Sequence, residues 1–372
     1  MKKQKSREEK GITLVALVVT IIVLLILAGV SVATLTGKNG LLTQAQKAKE
    51  ETEKASIEEQ KKITQVEASM NIKNEEYYDS KGNKAIIPAG FAVSQAEGEK
   101  EIDKGLVIID SEGNEFVWIP VGNVSNGNEI EKIELNRYTF SENGEPIKQD
   151  DKMINIPFLE GENLVDMYYQ ELDVPTNGNI PAKDINAFLT SVSNNGGYYV
   201  ARYEASYGKD GKPNSKVSIG NIATSSETEF TEGMLWNFIT QEEASKVCQN
   251  MYNSAYFTSD LINSYAWDTT ILFIQTFSKQ TKYSMQDGKS INDKLANTGT
   301  NGDNPLNIND FAAGIRELCT EYSSFNRWGL IKPCTMRGGG YFFNDKFSST
   351  RAYWSNATGN DGLGFRPILY IN

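Results

Sequence analysis

Residues 12–36 form a run of 25 residues without a charged side chain. At about 1.5 Å per residue, a helix of this length crosses the ~30 Å hydrocarbon core of a bilayer. The preceding residues 1–11 carry five cations, and an excess of Lys and Arg holds that end of a helix in the cytoplasm. The pattern predicts a single-pass protein of the cell membrane, with a cytoplasmic N-terminus and an extracellular C-terminal domain.

A cleaved signal peptide and an uncut signal anchor are alternatives for this segment. The sequence KGITL at residues 10–14 resembles the processing site of type IV prepilins. The resemblance implies that a membrane prepilin peptidase cuts after Gly11, that Ile12 becomes the N-methylated mature terminus, and that other pilin subunits are partners. Ala16 stands where pilins have a glutamate that functions in assembly. Whether the chain enters a pilus filament therefore stays open.

The rest of the chain changes character twice. Residues 41–70 carry apolar side chains at helical spacing among Lys, Glu and Gln, and the pattern changes to short strands from residue 85 onward. Residues 122–195 are rich in Asn, Gly, Asp and Glu. The predicted organisation is a leader (1–11), a transmembrane helix (12–36), a charged helical stalk (37–74) and a domain (85–372) with an elaborated insertion (122–195).

The composition excludes several classes of function. A formal net charge of -11 argues against nucleic-acid binding, which requires clustered Lys and Arg. The chain contains no histidine, so it has neither a Ser-His-Asp nor a Cys-His nucleophile system, and no His-ligated metal. Its three cysteines are too few for a disulfide scaffold.

Six motifs in one order indicate the fold of the domain. They are EFVWIPV (115–121), GGYYVARYEAS (196–206), the amphipathic stretch 241–252, INDFAAGIREL (308–318), MRGGGYF (336–342) and GLGFRPIL (362–369). Together they resemble the formylglycine-generating-enzyme (sulfatase-modifying-factor) branch of the C-type lectin fold. The resemblance implies an α+β protein in which the transmembrane and stalk helix is followed by a C-type lectin-like domain with small antiparallel sheets.

The resemblance does not extend to the family's chemistry. Phe343 and Ser348 occupy the positions of the two copper-binding cysteines, so we expect no catalytic residue, no enzyme activity and no cofactor. A structural calcium held by Glu317 and backbone carbonyls, as in some members, is an alternative to a metal-free domain. The family's layout also makes the strands that carry Cys319 and Cys334 neighbours. It implies a disulfide between them, with two separate buried thiols as the alternative.

Residues 337–366, between the two arginine-bearing strands, are expected to bind a ligand. Aromatic residues alternate there with short polar ones, a composition typical of recognition surfaces. The layout resembles the variable segment of diversity-generating retroelement targets. The sequence thus predicts an adhesin or receptor for an extracellular protein or glycan, and a structural minor pilin is the alternative. The predicted ligand-binding residues are Tyr341, Phe343, Asn344, Asp345, Phe347, Tyr353, Trp354 and Asn356.

Overall fold

The structure is a computed structural model that describes residues 18–22, 41–149, 153–160, 163–171, 185–219, 222–226, 228–287, 297–323, 326–327, 330–331, 334–340, 347–355 and 358–372. The chain divides into two compact units, Met1–Gln60 and Lys61–Asn372. The first unit contributes helical residues at 18–22 and at 41–60, and the latter begin the helix α1 (Leu41–Met70). The predicted processing site at Gly11 and Ile12 lies outside the described residues.

Helix α1 is exposed over most of its length and is rich in Ala, Glu, Lys and Gln, which are strong helix formers. Thr64 and Ala68, near its C-terminal end, are buried. Lys49 and Glu53 pair at 3.6 Å on its surface. Within the described ranges, no helix is both long and apolar enough to cross a membrane. The prediction of a single-pass membrane anchor is therefore not supported. Helix α1 is long enough to cross a bilayer but carries too many charged residues to do so, and only residues 18–22 of the predicted span 12–36 are described.

Among its described residues, the second unit contains three further α-helices and a series of mainly short strands. The helices are α2 (Ile185–Asn195), α3 (Gln241–Gln249) and α4 (Ser264–Phe277). The strands are β1 (Glu75–Tyr78), β2 (Lys84–Ile87), β3 (Phe91–Val93), β4 (Val107–Asp110), β5 (Glu115–Pro120), β6 (Gly122–Ser125), β7 (Ile130–Ile133), β8 (Arg137–Phe140), β9 (Pro146–Gln149), β10 (Met153–Glu160), β11 (Asn163–Glu171), β12 (Gly197–Ala201), β13 (Ser206–Tyr207), β14 (Pro213–Asn214), β15 (Phe257–Leu261), β16 (Arg316–Ser323), β17 (Asn326–Arg327), β18 (Leu330–Ile331), β19 (Cys334–Arg337), β20 (Arg351–Trp354), β21 (Leu363–Phe365) and β22 (Pro367–Ile371).

The first of two six-stranded sheets has the order β15-β22-β12-β5-β4-β3 and is antiparallel throughout. Every residue of β5 is buried, because both faces of the sheet are covered. Val117 and Ile119 point to the face on which α2 and α4 pack, through side chains such as Phe188 and Trp267. Phe116 and Trp118 point to the other face of the sheet and pack in a second apolar cluster. This sheet therefore forms the centre of the unit.

The second six-stranded sheet has the order β10-β11-β16-β19-β20, and β21 runs parallel to β16. Helix α3 packs on it through Ala244 and Cys248, both fully buried, against Leu318 and Met336. A capping box at Thr240 fixes the start of α3, because its side chain accepts from the Glu243 amide and Glu243 in turn accepts from Thr240. The sheet and α3 hold the segment that was predicted to bind a ligand.

The predicted fold class is wrong in two respects. The sheets are not small, since each main sheet has six strands and one contains the parallel pair β16–β21, and the part of the chain described here includes no transmembrane helix. The physical reason is that the hairpin β10–β11, within the predicted insertion, pairs with β16 through Tyr169 and Ser323 and widens the sheet. The structure is a mixed fold of helices and mostly antiparallel strands.

Local patterns were more reliable than the arrangement of the sheets. The amphipathic stretch 241–252 contains α3, and the motif EFVWIPV at 115–121 contains β5. The polar residues 75–84, between the predicted stalk and the predicted domain, contain β1, which pairs with β2. A polar edge strand of this kind carries little of the apolar alternation on which a sequence-based prediction depends.

Candidate functional site

Only part of the predicted recognition surface falls in the described residues. Phe347 is 36% exposed, Trp354 is half-buried and donates from Nε1 to the Thr358 carbonyl at 2.7 Å, and the Tyr353 backbone lies in β20 opposite Thr335. The remaining predicted ligand-binding residues lie outside the described residues: Tyr341, Phe343, Asn344, Asp345 and Asn356.

Residues 347–349, which belong to the predicted recognition surface, are hydrogen-bonded to the segment that follows α4. Phe347 forms an isolated backbone bridge with Asp287. The Ser348 hydroxyl donates to the Tyr283 carbonyl at 2.5 Å, and both the amide and the hydroxyl of Ser349 donate to the Ser284 carbonyl, at 3.2 and 2.7 Å. Residues 347–349 are therefore fixed against residues 283–287.

A cleft opens beside this contact, and we call it the Tyr283 cleft. Its volume is about 400 Å³, and its rim is formed by exposed residues that follow the C-terminal end of α4. Tyr283 is buried at its floor, and the same residue accepts the Ser348 hydroxyl through its carbonyl. The lining residues are Lys279, Gln280, Thr281, Lys282, Tyr283, Gln286, Gly302 and Asp303.

Asp303 supports the floor of the Tyr283 cleft from within the protein. Its carboxylate is 3% exposed and accepts the Tyr283 hydroxyl at 2.8 and 3.0 Å, together with the Ala312 and Ala313 amides at 2.7 and 3.2 Å. Burial raises the pKa of Asp303 to about 6, against the lowering effect of these donors, and the charge of Asp310 raises it further. Asp303 therefore holds the floor in shape.

Two lysines give the rim of the cleft a positive charge. Lys279 and Lys282 are both exposed, and neither forms an ion pair within the ranges that the structure describes. The Lys282 ammonium donates to the neutral Asn143 side chain at 3.1 Å. In a chain with a formal net charge of -11, these are uncompensated cations beside a cavity.

A buried ionic cluster anchors both ends of the segment 337–351. The Asp268 carboxylate on α4 accepts Arg337 at 2.5 Å through one oxygen and Arg351 through the other. Arg351 also donates to the Tyr138 carbonyl at 3.0 Å, and all three charged side chains are buried. Arg351 therefore pairs inside the fold. The cluster leaves the arginines unavailable to a ligand.

Glu317 lies in a second buried ionic cluster. Both of its carboxylate oxygens accept the Arg366 guanidinium, at 2.6 to 3.0 Å, and Arg366 also donates to the carbonyls of Ala201 and Asn309. Burial raises the pKa of nearby Glu204, whose Oε2 atom has no hydrogen-bond partner among the described residues. The charge of Glu317 is thus balanced by an arginine, and the geometry does not favour the alternative of a calcium ion there.

One further acidic group has the spacing of a metal site. Asp79, Glu101 and Asp103 bring carboxylate oxygens within 4.8 Å of one another. The Lys81 ammonium lies among them, donating to Asp103 and lying 3.6 Å from Glu101, while Asp79 accepts the amides of its own turn. The lysine supplies the positive charge that a metal ion would otherwise bring.

The predicted disulfide between Cys319 and Cys334 is wrong. The strands are neighbours, as expected, but all three cysteines of the chain are buried thiols. Cys334 lies opposite Tyr322, and its side chain packs with Met336 against α3, whereas Cys319 packs in the cluster on the other face. Successive strand residues point to opposite faces, so the thiols face apart. Burial raises the pKa of Cys319 and of Cys248.

Sequence reasoning identified residues near the Tyr283 cleft but missed its lining. The available signal was the polar run 278–282, which follows the apolar helix α4. Nothing in that run indicates that residues 347–349, about 65 positions later, lie against it. The site depends on contacts between distant parts of the chain.

Comparison with known proteins yields no match to a family model, a curated protein or a solved structure.

Proposed function

We propose that this chain is a ligand-binding protein, an adhesin or receptor for an extracellular protein or glycan, and that its ligand enters the Tyr283 cleft. The observation that carries the proposal is the position of the cleft, directly beside residues 347–349 at the edge of the surface with the composition of a recognition loop. Ligand sites are typically clefts that are largely pre-formed and that carry a few polar groups to orient the ligand.

The supports of the cleft favour binding over catalysis. Its floor is held by Asp303, a 3% exposed carboxylate bonded within the fold. Cys319 and Cys248, which do not line the cleft, are buried thiols whose pKa values are raised. A raised pKa disfavours the thiolate, which is the nucleophilic form. The exposed side chains that remain are cations, amides and a hydroxyl, which are groups that orient a polar ligand.

A substitution that fills the cleft tests the proposal. Thr281 is exposed on the rim, so we expect Thr281→Trp to block the cleft while changing the free energy of unfolding by less than about 0.5 kcal/mol. The matched control is Thr224→Trp at an exposed threonine that does not line the cleft. Both variants and the native full chain are applied to an array of neutral and acidic glycans and extracellular-matrix proteins.

We expect the native chain and Thr224→Trp to bind the same array components and Thr281→Trp to lose them by tenfold or more. Binding that survives Thr281→Trp contradicts the proposal, because the cleft is then not the site. Failure of the native chain to bind any component contradicts it as well.

A further inference from the structure

We infer that the Tyr283 cleft takes a ligand that carries an anionic oxygen group, a carboxylate or a sulfate, and that Lys279 and Lys282 hold that group. The inference rests on the proposed function and names the chemistry of its ligand. It is carried by the charges around the cleft.

Lys279 and Lys282 provide the positive charge at the rim of the cleft. They follow α4 three residues apart on the exposed rim, and no acidic side chain of the described residues pairs with them. Ammonium groups without an anionic partner in the protein gain most from an anionic ligand, since hydrogen bonds between charged groups are stronger than neutral ones. Gln280, Thr281 and Gln286 add amide and hydroxyl groups that contact the uncharged part of the ligand.

Among the described residues that line the cleft, Asp303 is the one with a carboxylate, and it does not pair with the lysines. Asp303 is 3% exposed, and its oxygens accept the Tyr283 hydroxyl and the amides of Ala312 and Ala313. It lines the cleft as a buried residue and is not part of the exposed rim. The cleft therefore presents positive charge to the solvent, although the whole chain is acidic.

The position of Asp303 adds a dependence on pH. The titratable and charged groups around Asp303 are Tyr283, which donates to it, Asp310 and the two rim lysines. The Asp310 carboxylate accepts the Thr298 hydroxyl at 2.7 Å. As pH falls through about 6, Asp303 takes up a proton, and one negative charge beneath the cleft is lost. Affinity for an anion whose own charge is constant should then rise, by about twofold or more.

Four probes separate the parts of this inference: inorganic sulfate, glucose 6-sulfate, glucuronate and glucose, each titrated into the full chain by ligand-observed NMR at pH 7.5. We expect both charged sugars to bind at least about tenfold more tightly than glucose. Sulfate alone distinguishes a simple anion site from one that also needs the sugar.

The variant Lys279→Gln with Lys282→Gln should weaken binding of the charged sugars by about tenfold and leave glucose unchanged. The matched control, Lys209→Gln with Lys246→Gln, removes the same charge from exposed positions elsewhere and should change nothing. Glucose 6-sulfate should bind more tightly at pH 5 than at pH 7.5 in the native chain, and Asp303→Asn should remove this difference.

Equal affinity for glucose and the charged sugars overturns the inference, and so does binding that both double variants leave unchanged. If glucose binds as tightly as its sulfate and Thr281→Trp abolishes both, the proposed function stands while the anionic ligand is rejected. If none of the four probes binds, the anion site is rejected, and the array result decides on the cleft.

Discussion

At the scale of single residues, Asp268 is a buried charge that is fixed by several donors. It is fully buried and accepts one arginine on each carboxylate oxygen, Arg337 and Arg351, as well as the Tyr138 amide at 2.9 Å. Removing one partner of such a cluster leaves a buried charge uncompensated, which costs far more than the loss of an exposed pair. The cluster thus fixes the ends of the segment beside the cleft.

Replacement of one of these arginines tests that view. We expect Arg351→Met to lower the free energy of unfolding by about 3–5 kcal/mol, measured by urea denaturation. The control is Lys246→Met, which breaks an exposed pair with Glu242 and should cost less than about 1 kcal/mol. A loss below 1 kcal/mol for Arg351→Met would mean that Asp268 finds other donors.

The raised pKa of Asp303 predicts that part of the free energy of unfolding depends on pH. Its folded-state pKa of about 6 lies above its ordinary value of 3.8, so its favourable contribution is complete below pH 4 and is lost as pH rises through 6. Relative to Asp303→Asn, the native chain should therefore lose up to about 3 kcal/mol between pH 4 and pH 7. Urea denaturation of both proteins across this range measures the difference. A difference that is constant with pH would show that Asp303 does not titrate there.

At the scale of elements, strand β16 contributes side chains to two different hydrophobic clusters, one on each of its faces. Leu318 faces α3 with Met336, and the next residue, Cys319, faces the cluster that contains Trp267. A bulge between Leu318 and Tyr322 shifts the register against β19, which is why Cys334 lies opposite Tyr322. The sequence predicted the neighbouring strands, but the faces depend on this register.

The register leads to a prediction about the thiols. Non-reducing peptide mapping of the denatured protein should find all three cysteines unlinked, and addition of a reductant should leave the melting temperature unchanged. Thiol alkylation in the folded state should be slow, because all three side chains are fully buried. A peptide that links Cys319 to Cys334 would show that the strands pair in another register.

At the scale of the whole second unit, the chain passes from one main sheet to the other through a single residue near its C-terminal end. Arg366 separates β21, which belongs to the sheet with α3, from β22, which lies in the central sheet. Its guanidinium binds Glu317 and two backbone carbonyls, so the crossover is fully buried and hydrogen-bonded. The two sheets are thereby held together at the end of the chain.

The sequence by itself determined the local structure and the excluded chemistry. Helical spacing and the Thr240–Glu243 capping box specify α3, apolar composition specifies α4 and β5, and the absence of histidine rules out whole classes of catalyst. These properties depend on neighbours within a few residues or on composition, so they can be predicted without knowledge of the fold.

Tertiary structure alone decided the sheet width, the faces of the cysteines and the cleft. Hairpin β10–β11 joins β16 from about 150 residues away, and residues 347–349 meet residues 283–287 across about 65 positions. Such pairings are selected by packing and register among distant elements, which no local pattern encodes. The sequence shows that Lys279 and Lys282 are positively charged, but only the fold places both at the rim of a cleft that is also lined by the buried Asp303.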